Sequence, residues 1–537
     1  MKQSIYFIKK ALAPLSIILV FSICAILPLP WNEIVENIFL DLQFKIRGER
    51  DLSEDIVFVY IGAEDIKALG GWPVTRDYYG YLTHVLKSMN VKIIGIYLMF
   101  DAPDSRYPEY DQILDDFFKS ANNICLPMAF YDLSNDTWNN QVSESKAVKI
   151  PKGRDPILPI EKFREHTAGI GFSNLGKEVI HHKAPLIAGY GERNLLSFGC
   201  ELARLYLNAS HDVRIKPNAI IFTKISENEV FIPIDQDGQL RLNHFGDIER
   251  VQAMGLVDLL QAYETSPDSL NLNGKLVIVD VTAPGIPTLE ATPLASALPA
   301  SLIHATVAEN ILKQNYLREL SAPILWLLIS LLVMSAWLIW QTESKSLMIG
   351  GSVGVLTLYW ISTMILFSRV NLIIPLLYPT FSYIATISLS AFLRSQQRRS
   401  QEDIVKSMLE EQIANKETQL FEAKTKLEEL QNQLLSESSV SEQITNLAEE
   451  RRQAIIALEK QLDDLQAYTI PEKQRPKLQF SEIIHAEDSK MSHILALVSK
   501  VGSDDIPVLI LGETGTGKEM IANAIHQSQC ACDSRNE

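Results

Sequence analysis

The stretch GKLVIVDV, residues 274–281, is a short run of β-branched and aliphatic residues entered through a glycine, and it reads as a strand. Comparable apolar runs lie far upstream: IVFVYIG (56–62), VKIIGIYLMF (91–100) and NICLPMAF (123–130). Helical patterns separate them, one after WPVTRDYY (72–79) and one near 110–120. Closer come LSFGCELARLYL (196–207), VFIPID (230–235), LRLNHF (240–245) and GLVDLLQAY (255–263), and HATVAENILKQN (304–315) follows. Such alternation argues for an α/β domain around a mainly parallel or mixed sheet. Ligands of these sheets sit beyond the carboxyl ends of strands, which directs attention to residues 72–76, 101–104 and 282–293.

The 537 residues suffice for two or more domains, and 47% hydrophobic against 21% charged is rich in apolar residues for so large a soluble protein. A net charge of −16 with no concentrated basic face argues against direct nucleic-acid binding by this chain. The five cysteines have neither zinc-site nor disulfide-framework spacing, so no metal site is expected. Cys125 and Cys200 stand alone in the large N-terminal segment; outside the cytoplasm a pair is open to them, and buried free thiols are the favoured reading.

Residues 11–29 carry no charge and follow Lys9 and Lys10, which fits either a cleaved signal peptide or an uncleaved membrane helix. The length, and the lack of a clean small-residue cleavage site near Pro28, Pro30 and Trp31, favour the helix. Three later uncharged spans, 322–340, 346–367 and 370–393, each approach the ~20 residues that cross ~30 Å of hydrocarbon. Their succession favours membrane helices over a buried helical core. Lys2, Lys9, Lys10, Lys345, Arg394, Arg398 and Arg399 flank the ends that an N-in, four-span topology puts in the cytoplasm, with Arg369 alone on the other side. The expectation is a multi-pass protein of the bacterial inner membrane, both termini cytoplasmic and residues 31–320 outside. Pro375 and Pro379 are expected to kink the last span.

DLQFKIRG (41–48), LGGWPVTRDYYGYLTHVL (69–86), FIPIDQDGQLRLNHFG (231–246), LNGKLVIVDVTAPGIPTLEATPL (272–294) and HATVAENIL (304–312) together resemble the signature blocks of the type-2 CHASE sensor domain. The resemblance covers nearly all of 33–320 and implies an extracytoplasmic input module with one membrane helix before it and three after. Where that family tends to place acids, this chain has Gly62, Tyr97 and Thr288; where it tends to place glycines, Asp280 and Ala300 stand instead. Trp72, Arg76 and Asp101 are the ligand-pocket candidates, for a ligand the sequence does not name. A structural turn with a capping Asp and a solvated Arg is the competing reading.

Past Arg399 the composition turns to Glu, Gln, Lys and Leu, without Gly or Pro until Pro471. From Leu409, steps of four and three give Ile413, Lys416, Leu420, Ala423, Leu427, Leu430 and Leu434, then Ile444, Ala448, Ile455, Leu458, Leu462 and Leu465. This reads as a cytoplasmic coiled coil, most simply a parallel homodimer reaching roughly 100 Å from the membrane, with a single solvated helix as the alternative. SESSVSEQ (436–443) is its weak centre, where two packings are expected.

PVLILGETGTGK (507–518) has the spacing of a phosphate-binding loop, with a strand expected over 508–511 and a helix from Lys518. Glycines let backbone N–H groups point at phosphates, and Lys518 reaches the β- and γ-phosphates. Glu519 stands where the general motif has a Ser or Thr hydroxyl for magnesium. Residues 480–528 resemble the opening of the AAA+ domain of sigma-54-dependent transcriptional activators, in which the acidic residue after the lysine is a hallmark. The resemblance implies that Gly512, Thr514, Gly515, Thr516, Gly517, Lys518 and Glu519 bind ATP. In a complete domain it also implies Mg2+, a hexameric ring and sigma-54 RNA polymerase holoenzyme as partner. Only 19 residues follow Lys518, so a truncated product is expected that hydrolyses no ATP by itself, and no catalytic residue is assigned.

The organisation expected is a multidomain membrane protein. It comprises an N-terminal transmembrane helix (1–30), an α/β extracytoplasmic sensor (31–320), three transmembrane helices (321–394), a coiled-coil linker (395–470) and part of a P-loop α/β AAA+ domain (471–537). The function expected is a membrane-bound signal sensor coupled to an ATP-binding transcription-regulator domain. A non-catalytic, membrane-anchored dimeric scaffold with an inert phosphate loop is the alternative.

Overall fold

The computed structural model describes residues 2–27, 30–137, 148–436, 441–467, 494, 508, 510 and 518–533. They fall into two units, Met1–Ser390 and Ala391–Glu537.

The first unit is organised by a nine-stranded mixed sheet. Its strands are β1 (Ile56–Ile61), β2 (Ile93–Ile96), β3 (Ile124–Thr137), β4 (Pro151–Ile157), β5 (Gly169–Phe172), β6 (Ile187–Tyr190), β7 (Arg193–Leu196), β8 (Gln252–Gly255) and β9 (Leu276–Val281). The order is β8-β1-β9-β2-β3-β4-β6-β7, with β5 also on β3. β8, β1, β9, β2, β3 and β5 are parallel to their neighbours; β4 runs antiparallel to β3, and β7 to β6. GKLVIVDV thus supplies an interior strand, with all six residues of β9 buried.

Alternation along the strands sorts side chains onto two faces. Val57, Val59 and Ile61 of β1 and Val277, Val279 and Val281 of β9 join one core, together with α3 (Arg76–Ser88), α4 (Pro108–Ala121) and α6 (Leu256–Thr265). Ile56 and Phe58 of β1 and Leu276 and Ile278 of β9 join the other, against α5 (Phe198–Tyr206) and α7 (Ala300–Leu312). α7 is buried nearly all round because α5 covers its outer side, and Gly199 permits the approach: a Cβ there would lie 2.3 Å from the His304 carbonyl oxygen. Cys125 and Cys200 are buried free thiols, as expected, and burial pushes both well above the ordinary thiol range.

The rest of this unit comprises α1 (Lys2–Ile26), α2 (Pro30–Arg47), α8 (Ala322–Ile339), α9 (Lys345–Val370) and the start of α10 (Leu377–Ser436), whose apolar residues pack in clusters of their own, apart from the two cores of the sheet. Among the described residues two helices, α8 and α9, are long and apolar enough to cross a membrane, and Pro14–Ala25 inside α1 is a shorter apolar segment. The span expected over 370–393 is not one helix. Asn371, left-handed at φ 56°, caps α9, and Leu372–Ile373 (β11) pairs with Arg318–Glu319 (β10) before α10 begins. Pro375 precedes α10 and Pro379 lies in its first turn, where no intrahelical N–H bond is lost, so neither kinks the middle of a span.

In the second unit α10 continues to Ser436 and is followed by α11 (Ser441–Ala467) and α12 (Lys518–Asp533). Leu409, Ile413, Lys416, Leu420, Ala423 and Leu427 form the less exposed stripe of α10, and Ile455, Leu458 and Leu462 that of α11. The heptad positions fall on this stripe. Within the chain, Lys416 Nζ meets Gln461 Oε1 at 3.0 Å and Lys424 Nζ meets Glu459 Oε1 at 2.7 Å, two contacts that join α10 and α11 in antiparallel sense. Residues 437–440 of the weak centre lie outside the described residues.

Candidate functional site

Arg76 opens α3 and is spent on structure. Its guanidinium pairs with Asp111 of α4, donates to the Ala102 carbonyl at 2.6 Å, and stands over the Phe100 and Phe163 rings at 5.3 and 5.6 Å. The other Asp111 oxygen accepts the Asp104 N–H at 3.0 Å, while Asp104 Oδ1 accepts from the Arg106 and Tyr107 amides. These bonds fasten the loop after β2 to two helices. Trp72 (44% exposed) and Asp101 are exposed, and neither described cavity is lined by Trp72, Arg76 or Asp101. Arg76 is joined to the loop that carries Asp101 through the Ala102 carbonyl.

The polar cluster that does occupy a carboxyl end of the sheet centres on Asp280, at the end of β9. It is buried, its Oδ1 accepts the Val281 N–H at 2.7 Å, and its Oδ2 accepts the Ser301 hydroxyl at 2.5 Å. Burial pushes its pKa up to about 7, opposed by those two bonds. The Tyr97 and His304 rings meet at a tilt of 46° with centroids 5.4 Å apart, and the Tyr97 phenol is raised by burial and by the Asp280 charge. His304 Nδ1 accepts the Gly199 N–H at 3.2 Å, so Nε2 carries the proton toward the Ser173 carbonyl at 3.1 Å; burial lowers its pKa to about 4. The cluster is internally satisfied and neutral in its imidazole, the chemistry of a specific polar core. Its sequence signal was Asp280 and Tyr97, two positions where the residues depart from the pattern they otherwise resemble.

A second polar system ties α2 to what lies above and below it. Asp41 meets His182 at 2.7 Å, Glu33 meets Lys183 at 2.5 Å, and Arg47 donates to Asn243 Oδ1 at 2.6 Å and to the His244 carbonyl at 2.5 Å. The Glu36 carboxylate accepts the N–H groups of Leu376 and Leu377, at 3.1 and 3.0 Å, where α10 begins. One helix thus holds both the edge of the α/β domain and the first turn of a 60-residue helix. This link went unread in the sequence, since nothing local marks Glu36 as a cap for a helix so far along the chain.

The family model of the CHASE2 domain matches residues 16–340. The chain belongs to the CHASE2 domain family. The match takes in part of α1 and all of α8, beyond the 33–320 of the sequence resemblance. In this CHASE2 chain a model of the sigma-54 interaction domain also matches residues 484–536. Over 47 residues the chain is 43% identical to the hydrogenase transcriptional regulatory protein HoxA of Cupriavidus necator, covering 9% of this chain and 10% of that protein. The formate hydrogenlyase transcriptional activator of Salmonella typhimurium is 54% identical over 48 residues, 9% of this chain and 7% of its own length. The chain spans about a tenth of the length of the curated relatives it matches. No solved structure matches it.

Of the phosphate-loop residues, Gly512, Thr514, Gly515, Thr516 and Gly517 lie outside the described residues. Lys518 and Glu519 open α12, as expected. Val508 and Ile510 are in neither helix nor strand, contrary to the strand expected there; a parallel strand needs a ladder partner, and among the described residues none pairs with them. A lysine opening a 16-residue helix is compatible with a phosphate held at the helix N-terminus.

Proposed function

We propose that this CHASE2 chain is a membrane-anchored receptor whose extracytoplasmic sensor controls an ATP-binding, sigma-54-type transcription-regulator domain. The supporting observation is the continuity of α10: Glu36 caps its first turn in the sensor unit, and the helix runs unbroken into the unit that carries the phosphate-loop helix. ATP with Mg2+ would be held by Gly512, Thr514, Gly515, Thr516, Gly517 and Lys518, Glu519 standing beside them. Bound ATP would supply the phosphoanhydride whose turnover drives remodelling in a complete domain of this type. The chain's own part is to hold the phosphates with backbone N–H groups and the Lys518 charge.

In this reading α1, α8, α9 and the apolar start of α10 all span the membrane, both ends of the chain are cytoplasmic, and sigma-54 RNA polymerase is the downstream partner. The charge asymmetry of Lys2, Lys9, Lys10, Lys345, Arg394, Arg398 and Arg399 supports the orientation. A homodimer through the α10 stripe would compete with the antiparallel pairing of α10 and α11, which gives the linker two packings to choose between. Reporter fusions test the topology: a fusion after Leu320 is expected to behave as extracytoplasmic and one after Arg399 as cytoplasmic. Both reporting from the same side would refute the four-span receptor.

A further inference from the structure

A cavity of about 650 Å3 lies against the edge of the sensor where the chain turns into α8. Four cations line it, and two are already compensated. Lys183 contacts Glu33 at 2.5 Å and Asp235 at 3.2 Å, and Arg241 contacts Glu319 at 2.8 Å. The other two, Lys216 and Arg318, have no carboxylate within ion-pair distance among the described residues. Lys216 stands 5.8 Å from the centroid of the Phe231 ring, and that ring is 52% exposed. Tyr316 and Leu317 continue the apolar side of the wall. Two uncompensated cations lining one cavity, Lys216 beside an exposed aromatic ring, suit an anionic group carried on an apolar body.

The walls of this cavity are the parts that reach α10. Arg318 and Glu319 are β10, which pairs in parallel with β11, and β11 leads directly into α10. Glu33, the partner of Lys183, is on α2, one turn from the Glu36 that caps Leu376 and Leu377. An anion reaching Lys183 or Arg241 competes with Glu33 or Glu319 and loosens either the α2 contact or the β10 contact. Both Glu33 and Glu319 are more than half exposed, at 56% and 64%, so water is at hand to solvate each once displaced.

We propose that this cavity is the ligand site of the sensor and that it takes a phosphate- or carboxylate-bearing amphiphile. The charged group rests on Lys216 and Arg318, the apolar body lies along Phe231, and the ligand exchanges with Glu319 for Arg241. The same chemistry is offered by a free organic anion and by the headgroup of an anionic lipid. The assignment deepens the receptor reading, but anion binding is measured on the chain itself and stands or falls independently of ATP binding.

The test uses the full chain in nanodiscs of zwitterionic lipid, titrated calorimetrically with phenyl phosphate, inorganic phosphate and, as a neutral control, benzyl alcohol. Phenyl phosphate is expected to bind, more tightly than inorganic phosphate, while benzyl alcohol does not. The double change Lys216→Gln with Arg318→Gln is expected to weaken it by at least about tenfold, the worth of one charge-assisted hydrogen bond. Glu319→Gln, which frees Arg241, is expected to tighten it; this variant keeps the test open should the double variant not fold. Repeating the titration in nanodiscs containing phosphatidylglycerol separates the sources. A weakened phenyl phosphate affinity identifies a lipid headgroup as occupant, and an unchanged one identifies a free anion. Absence of phenyl phosphate binding in zwitterionic nanodiscs, or binding indifferent to both the double change and Glu319→Gln, overturns the proposal.

Discussion

The carboxylate of Glu36 accepts the backbone N–H of Leu377 at 3.0 Å across 341 residues of sequence. With its other oxygen on Leu376 N–H it fills two of the orphan donors at the start of α10, and burial holds its pKa above the usual carboxylate value against those two bonds. Glu36→Ala leaves both donors without a protein partner. The loss of such a cap costs about 1 kcal/mol, so amide hydrogen exchange at Leu376 and Leu377 is expected to quicken by roughly fivefold. Unchanged exchange there would show that the contact does not hold the helix start.

Arg76 gives a stability prediction that separates clamp from ligand residue. Arg76→Ala strands Asp111, whose side chain is 10% exposed, and is expected to destabilise the sensor by roughly 2–4 kcal/mol. Adding Asp111→Asn to that variant should recover part of the loss, because the unpaired charge is gone. A melting temperature unmoved by Arg76→Ala would return the residue to the ligand-binding candidates.

Asp280 makes the sensor's stability depend on pH. Its pKa is about 7 in the fold against 3.8 for an ordinary aspartate, so between these limits the folded state keeps a proton that the unfolded chain has lost. Its contribution is full below about pH 4, falls as pH rises, and is lost above about pH 7, a swing on the order of 4 kcal/mol. Glu309, raised by burial to about 7, acts in the same direction. Asp280→Asn should flatten the Asp280 part of the profile and raise the melting temperature at pH 8 relative to the parent chain. Thermal melts from pH 5 to 8 decide this; parallel profiles for the two proteins would contradict it.

The reach of the sequence differed from element to element for physical reasons. GKLVIVDV and its companions were legible as strands because apolar β-branched runs leave few other solutions, and the less exposed stripe of α10 and α11 was legible because heptad spacing is a local property. Direction and partner were not: a stripe says what must be covered, and only the Lys424–Glu459 and Lys416–Gln461 contacts say by what. Arg76 was conspicuous in its motif, but its partner Asp111 lies 35 residues away, on a helix whose placement depends on the sheet. Asp280 was visible as a departure, while its burial exists only because α7 covers the end of β9. The final apolar span was misplaced at its start because residues 371–376, entered through left-handed Asn371 and holding β11, are as free of charge as the helix that follows them.

The antiparallel pairing of α10 with α11 predicts a specific cross-link. With cysteines at Lys424 and Glu459, a short bis-maleimide should give an intramolecular product that migrates as monomer. Predominantly intermolecular product would establish the parallel dimer as the resting packing of the linker.

The measurement that bears most directly on a sensor coupled to a nucleotide-binding domain is titration of a fluorescent ATP analogue, with magnesium, onto the full chain in nanodiscs. Saturable binding is expected, displaced by unlabelled ATP, and weakened at least about tenfold by Lys518→Ala, which removes the charge proposed to reach the β- and γ-phosphates. No binding by the parent chain, or equal affinity in the Lys518→Ala variant, would contradict residues 512–519 as a nucleotide loop and leave the CHASE2 sensor without the output assigned to it.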